Sequence, residues 1–126
     1  MNLKLDNRGS ATIEGSVMFI LILILTMGFV CLTNAITVYA VAQTAAREGA
    51  REYAMTDSKT KAVIKARTEI ELSGVEIKDV SITPMAEGQE RRMTVTVNYP
   101  FYVPVVGERE LVLQGGASFR RVRYGR

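Results

Sequence analysis

Between Gly15 and Thr33 the chain carries no charged residue, and apolar side chains follow one another with little interruption. As a helix this stretch is ~28 Å long at ~1.5 Å per residue, close to the ~30 Å hydrocarbon core of a bilayer. Beyond Thr33 the pattern stays helical but turns alanine-rich, and it contains no proline. Ala35, Tyr39, Ala42, Ala46, Gly49 and Tyr53 recur every three or four residues, which sets them on one stripe of a continuing helix. Small side chains on such a stripe let another element approach closely, and packing within the chain is the expected use of it. One helix from about Ala11 to about Ala54 would be ~65 Å long, with its first half in lipid and its second half outside.

The remaining pattern predicts a second helix and three strands. Thr56, Asp57 and Ser58 offer side-chain oxygens to cap the segment KTKAVIKARTEIEL, which ends at Ser73-Gly74. Its apolar positions Ala62, Val63, Ala66, Ile70 and Leu72 suit one buried face. The first extended segment, VEIKDVSIT, changes apolar parity between Ile77 and Val80, which predicts a bulge near Lys78-Asp79. The second, RMTVTVN, alternates cleanly, with Met93, Val95 and Val97 on one face. The third is RELVLQGGASF. The turn Ala86–Gln89 joins the first two, and YPFYVPVVG, with two prolines, reads as the connection to the third. The fold class expected is therefore α+β: a long N-terminal transmembrane helix running into a small domain of one further helix and a three-stranded antiparallel sheet.

With 126 residues, the chain has room for one small domain beside a membrane segment. A formal net charge of +3 owes much to Arg120, Arg121, Arg123 and Arg126, which have no acidic neighbour in sequence. A solvated basic tail is the expectation; no aromatic-studded basic face points to nucleic acid. The single cysteine, Cys31, allows no intrachain disulfide, and the lack of histidine removes the commonest general base and metal ligand. No serine has a histidine to activate it, Glu69 and Glu71 do not face one another on a helix, and no phosphate-binding glycine loop is present. Neither catalysis, a metal nor a cofactor is expected. Tyr99, Phe101 and Tyr102 read as cover for the bottom of a small core, or as an exposed partner surface.

Charge placement then changes the meaning of the apolar run. Lys4, Arg8 and the α-amino group outweigh Asp6 in the short leader, and the positive-inside tendency holds that end in the cytoplasm. Glu14 follows at the mouth of the run. A carboxylate at the edge of hydrocarbon is costly unless a cation pairs with it, so it is by default a functional residue. Cleavage after Gly9 would create a new α-amino group on Ser10. In a stack of subunits that amine would neutralise Glu14 of the neighbouring chain and fix an axial register.

The segment RGSATIEGSVMFILILIL resembles the class III signal peptide of the type IV pilin superfamily. Together with AAREGAR and the late strand region VTVNYPFYVPVVGERELVLQGGASFRR, the chain is similar to the TadE/TadG-like pseudopilins of tight-adherence (Flp-type) pilus systems. The resemblance implies a leader over residues 1–9, processing by a prepilin peptidase between Gly9 and Ser10, and Glu14 as the assembly glutamate. It further implies a helix over 10–54, with about 15–33 in the inner membrane, and a domain over 55–126 outside the cytoplasm. The partners implied are other pilin or pseudopilin subunits, the peptidase, the inner-membrane assembly platform and membrane lipid, with the assembled pilus as a later extracellular location. A minor, priming or capping role is implied by a length that major pilins of these systems lack. Three readings compete with it: the main subunit of a fibre, an anchored monomeric binding module that is never cleaved, and a secretory signal ending at Ala40-Val41-Ala42. The mature N-terminus separates cleavage from its alternatives: Ser10 for a pilin, Met1 for a plain anchor, Gln43 for a secretory signal.

Overall fold

A computed structural model describes residues 7–122. Most of the expected leader lies outside the described residues, as do Arg123 and Arg126. The element order is α1 (Asn7–Thr56), α2 (Lys59–Leu72), β1 (Asp79–Glu87), β2 (Glu90–Val103) and β3 (Gly107–Arg120). The class is α+β, and the sheet is an antiparallel meander with β2 in the centre.

At 50 residues, α1 is a single helix ~75 Å long. No proline interrupts it, since all three prolines of the chain lie at Pro84 or beyond. The hydroxyls of Ser16, Thr26, Thr33 and Thr37 donate to the carbonyl one turn back at 2.8–3.0 Å. Polar side chains of the apolar run thus bring no unsatisfied donor with them. The helix stops at Asp57, whose φ of 55° is left-handed and whose amide donates to the Tyr53 carbonyl at 2.9 Å. Ser58 alone then caps α2, accepting from the Lys61 amide at 3.4 Å. Gly74, at φ 69°, ends the second helix in the left-handed conformation that glycine tolerates.

Both helices cover one face of the sheet. Val38, Ala42, Ala46, Ala50 and Tyr53 of α1 meet Ala62, Ala66 and Ile70 of α2 and the inward row Met93, Val95 and Val97 of β2. Val63 is half-buried, and Leu72, expected on that buried face, is 74% exposed, because it lies past Ile70 on the outer side of the last turn of α2. The core is narrow because alanine predominates, and two glycines let the elements close on one another. A Cβ on Gly49 would meet the Ala66 Cβ at 3.0 Å and the Met93 Cε at 3.1 Å. On Gly115 it would stand 2.6 Å from the Ala42 carbonyl carbon and the Gln43 nitrogen, so β3 touches the backbone of α1 there.

The strand boundaries differ from expectation in two places. No bulge occurs near Lys78: β1 begins at Asp79 and pairs without interruption from Asp79↔Asn98 to Glu87↔Glu90. Val75 and Ile77 instead pack on the core from the irregular connector before the strand, which is why their parity is independent of that of Val80 and Ile82. In the second place, β2 does not stop at Asn98 but continues through Tyr99–Val103, paired to β3 as far as Val103↔Gly107. Pro100 is accommodated because β1 ends its pairing at Asn98, so beyond it β2 has a neighbour on one side only. The connection is thereby reduced to Pro104-Val105-Val106, a tight turn with Val105 at φ 80°.

Candidate functional site

The first turns of α1 carry the residues singled out by charge. Gly9, Ser10 and Glu14 are all exposed on the helix, and a Cβ on Gly9 would meet nothing within 4 Å. Ser10 and Glu14 stand one turn apart on the same face. Among the described residues no ion pair reaches Glu14. Behind it the apolar run is exposed apart from Gly28 and Cys31, which are half-buried: Phe19 is 63% exposed and Phe29 70%, and no part of the most apolar window is buried within the chain. Such a surface needs lipid or another apolar helix against it.

The stripe further along α1 is used internally. Ala35, Ala42, Ala46, Gly49 and Tyr53 are buried, against α2 and the sheet. Tyr39 departs from them and is 46% exposed. Its place is taken by Val38, 3% exposed, which lies ~100° back round the helix, as far to one side of the line through Ala35 and Ala42 as Tyr39 lies to the other, on the flank where Ala45 is also buried. Among the described residues the opposing charges of the same segment form no ion pair: Arg47 and Arg51 are exposed, and the pair formed on the adjacent helix is Lys65–Glu69 of α2 at 2.7 Å. The hydrogen bond from Lys65 to Glu69, and that carboxylate's charge, raise the pKa of the ammonium.

A polar cluster that sequence reasoning missed lies at the far end of the domain. Arg91 is 6% exposed on the inward row of β2, where an apolar residue would be expected. Its Nε donates to Asp57 Oδ1 at 2.7 Å and its Nη1 to the carbonyls of Gly88 and Glu90 at 2.9 and 3.1 Å. The guanidinium lies 5.5 Å from the ring centre of Tyr53. Arg121 Nη2 approaches the other oxygen, Asp57 Oδ2, at 3.2 Å. The hydrogen bond from Arg91 is the main reason that the Asp57 carboxyl is held below its ordinary pKa, with both arginine charges adding to it. The basic tail is thus not simply solvated: Arg121 closes this cluster, and Arg120 donates from Nε and Nη2 to Gln89 Oε1. This arrangement is a clasp between the α1–α2 corner and the sheet, built of groups that are already satisfied. The only advance signal was Asp57 at a helix junction.

The aromatic segment divides by strand parity. Tyr99 packs on the core and Phe101 and Val103 are half-buried on the helix side, whereas Tyr102 points outward and is 49% exposed. Among the described residues no group of His, Cys, Asp and Glu is arranged to hold a metal ion.

No curated protein and no solved structure matches the chain. A family model described as TadE-like protein does match, over residues 9–51. That interval starts at the glycine before Glu14, takes in the whole apolar run, and ends on the buried stripe that carries the domain. Through this helix the chain resembles the TadE-like family.

Proposed function

We propose that the protein is a minor pseudopilin of a tight-adherence pilus or a related secretion machine, a structural subunit with no catalytic step. The observation that carries this reading is the TadE-like match over 9–51, on a helix whose apolar half is uncovered and whose glutamate has no partner among the described residues. In the proposed cycle the apolar run anchors the precursor in the inner membrane with its N-terminus in the cytoplasm. Prepilin peptidase cuts between Gly9 and Ser10, and the run then passes from lipid into contact with the corresponding helices of other subunits at the assembly platform. Apolar burial holds the subunits together, and the Ser10 amine of one chain pairs with Glu14 of the next to set the axial register. The same amine lies one turn from Glu14 of its own chain, so register selection requires that the intersubunit pair be the better desolvated of the two.

Exchange of Glu14 for alanine tests the mechanism in cells that make the pilus. Membrane insertion is expected to persist while the amount of subunit in sheared pili falls. Normal incorporation of the variant would remove the proposed role of Glu14. An anchored binding module needs no cleavage, and on that reading Gly9→Ala would leave both the apparent mass and the behaviour of the protein unchanged.

A further inference from the structure

The β2–β3 hairpin ends in an apolar tip that the fold does not cover. Val105 is 93% exposed, Val106 59% and Tyr102 49%. Val105 also holds a φ of 80°, a conformation that a β-branched residue rarely adopts. Where this tip sits follows from two contacts between β3 and α1. Gln43 exchanges two hydrogen bonds with the backbone of Gly116, at 3.0 and 3.2 Å, and the Val122 amide donates to the Ala54 carbonyl at 3.3 Å. Sequence numbers therefore rise together along strand and helix. The stretch Gly116–Val122 (~20 Å at ~3.3 Å per residue) covers the stretch Gln43–Ala54 (~17 Å at ~1.5 Å per residue), so the two run nearly side by side. Followed back at the same pitch, β3 reaches Gly107 ~24 Å further toward the N-terminus, level with about Gly28.

Burial along α1 agrees with that placement. The covered stripe does not end at Val38; Ala35 is 6% exposed and Cys31 is half-buried, the latter within the apolar run. On β2 the residues turned to the helix side, Tyr99, Phe101 and Val103, are half-buried as far as the turn. If the run leaves hydrocarbon near Thr33, a tip level with Gly28 lies ~7 Å inside it. The charges of the hairpin fit the same depth. Arg109 pairs across to Phe101 and Glu108 to Tyr102, while Glu110 pairs to Pro100. Counted from Gly107 these sit ~3–10 Å nearer the domain, so Glu108 lies ~4 Å inside the hydrocarbon edge, from where its side chain can reach the head groups, and Arg109 and Glu110 lie close to that edge, where tyrosines are also favoured. The two glutamates argue against a strongly anionic surface and for zwitterionic lipid.

We propose that the tip Tyr102–Val106 inserts into the leaflet on the domain's side of the membrane, giving the protein a second, shallow lipid contact beside α1. The proposal rests on α1 being a membrane anchor. Lipid covers Val105 and Val106 before assembly, and the insertion fixes how the domain leans on the bilayer.

Single-site fluorescence in phosphatidylcholine nanodiscs holding one full-length chain each tests it. In a Cys31→Ser background, an environment-sensitive label is placed by Val105→Cys, with Val106→Cys as a second tip position. Leu23→Cys reports on the anchor and Glu87→Cys on the opposite end of the sheet. The expected result is blue-shifted emission at both tip positions, quenching by lipids brominated high on the acyl chain, and protection from iodide. The Glu87 position should show the reverse. If Leu23 is quenched by bromolipid while the tip labels stay open to iodide, the hairpin proposal is overturned and the anchor stands. Iodide access at Leu23 as well would overturn both. Since each disc holds a single chain, protection cannot come from a neighbouring subunit.

Discussion

Replacing Gly115 by alanine should unfasten the domain from its helix. The added Cβ would stand 2.6 Å from the Ala42 carbonyl carbon and the Gln43 nitrogen and 2.7 Å from the Ala42 oxygen. Ordinary contact between such atoms is ~3.5–4.0 Å, so β3 must withdraw by ~1 Å. All three obstructing atoms are backbone, and no rotamer relieves the clash. Overpacking of a core costs about 1–3 kcal/mol. Withdrawal would also stretch both hydrogen bonds between Gln43 and Gly116, worth about 1 kcal/mol each. The expected loss is therefore about 3–5 kcal/mol, a large fraction of the 5–15 kcal/mol typical of a domain. The neighbouring glycine supplies the control, since a Cβ on Gly116 meets nothing closer than the Met93 carbonyl oxygen at 4.0 Å. Urea unfolding of the full chain in detergent, followed by tyrosine fluorescence because no tryptophan is present, measures both. Equal midpoints for the Gly115→Ala and Gly116→Ala variants would refute the close approach and the seating of β3 on α1.

Other consequences follow from burial and charge. Val38→Ala should cost about 1–3 kcal/mol, since a nearly fully buried side chain is truncated, whereas Tyr39→Ala should stay within about 0.5 kcal/mol in the same assay. The Asp57 carboxyl has a depressed pKa in the folded protein, so its contribution is complete above the unfolded value of ~3.9 and is lost as pH falls through the lower folded value. Thermal unfolding between about pH 5 and pH 2 should show this as falling stability. Asparagine, which tolerates the left-handed φ at position 57, should lower stability at neutral pH and flatten that acid dependence. A variant that kept the full acid slope would show that Asp57 is not its source.

The sequence was most readable where one period ran for a long distance. The apolar run and the alanine-rich continuation gave α1 to within a few residues of its observed ends, Asn7 and Thr56. The clean alternation around Met93, Val95 and Val97 gave the inward row of β2. Local cues failed where a tertiary neighbour decided the outcome. Pro100 reads as a strand breaker, yet it sits in β2 because β1 has already ended. Tyr39 and Val38 are both compatible with a helical stripe, and the choice depends on which flank of α1 receives α2. Arg91 was invisible as a core residue because only Asp57, distant in sequence, and two carbonyls at the hairpin turn make its burial affordable. Glu14 and Gly9 are a different case: both are exposed on the first turns of α1, and the proposal made for them rests on spacing and charge alone.

The continuity of α1 links the two ends of the molecule mechanically. The domain is fixed to the helix at Gln43, at Ala54 and, through the Arg91–Asp57–Arg121 cluster, at the corner where the helix ends. With no proline in α1, a movement of the first turns is carried to the domain with little loss. In a stack of subunits, a slip of one residue at Glu14 would shift the chain by ~1.5 Å and, to keep the same face on its neighbour, rotate it by ~100°. The β2–β3 hairpin would turn with it, away from any surface it had faced. A pairing at Glu14 would therefore select more than an axial position: it would decide which face of the domain points out of the fibre. On this account, an acid-neutralising substitution such as Glu14→Gln should do more than reduce incorporation. In the subunits that still assemble, crosslinks between domain surfaces should scatter over several partners, whereas the wild-type chain gives one.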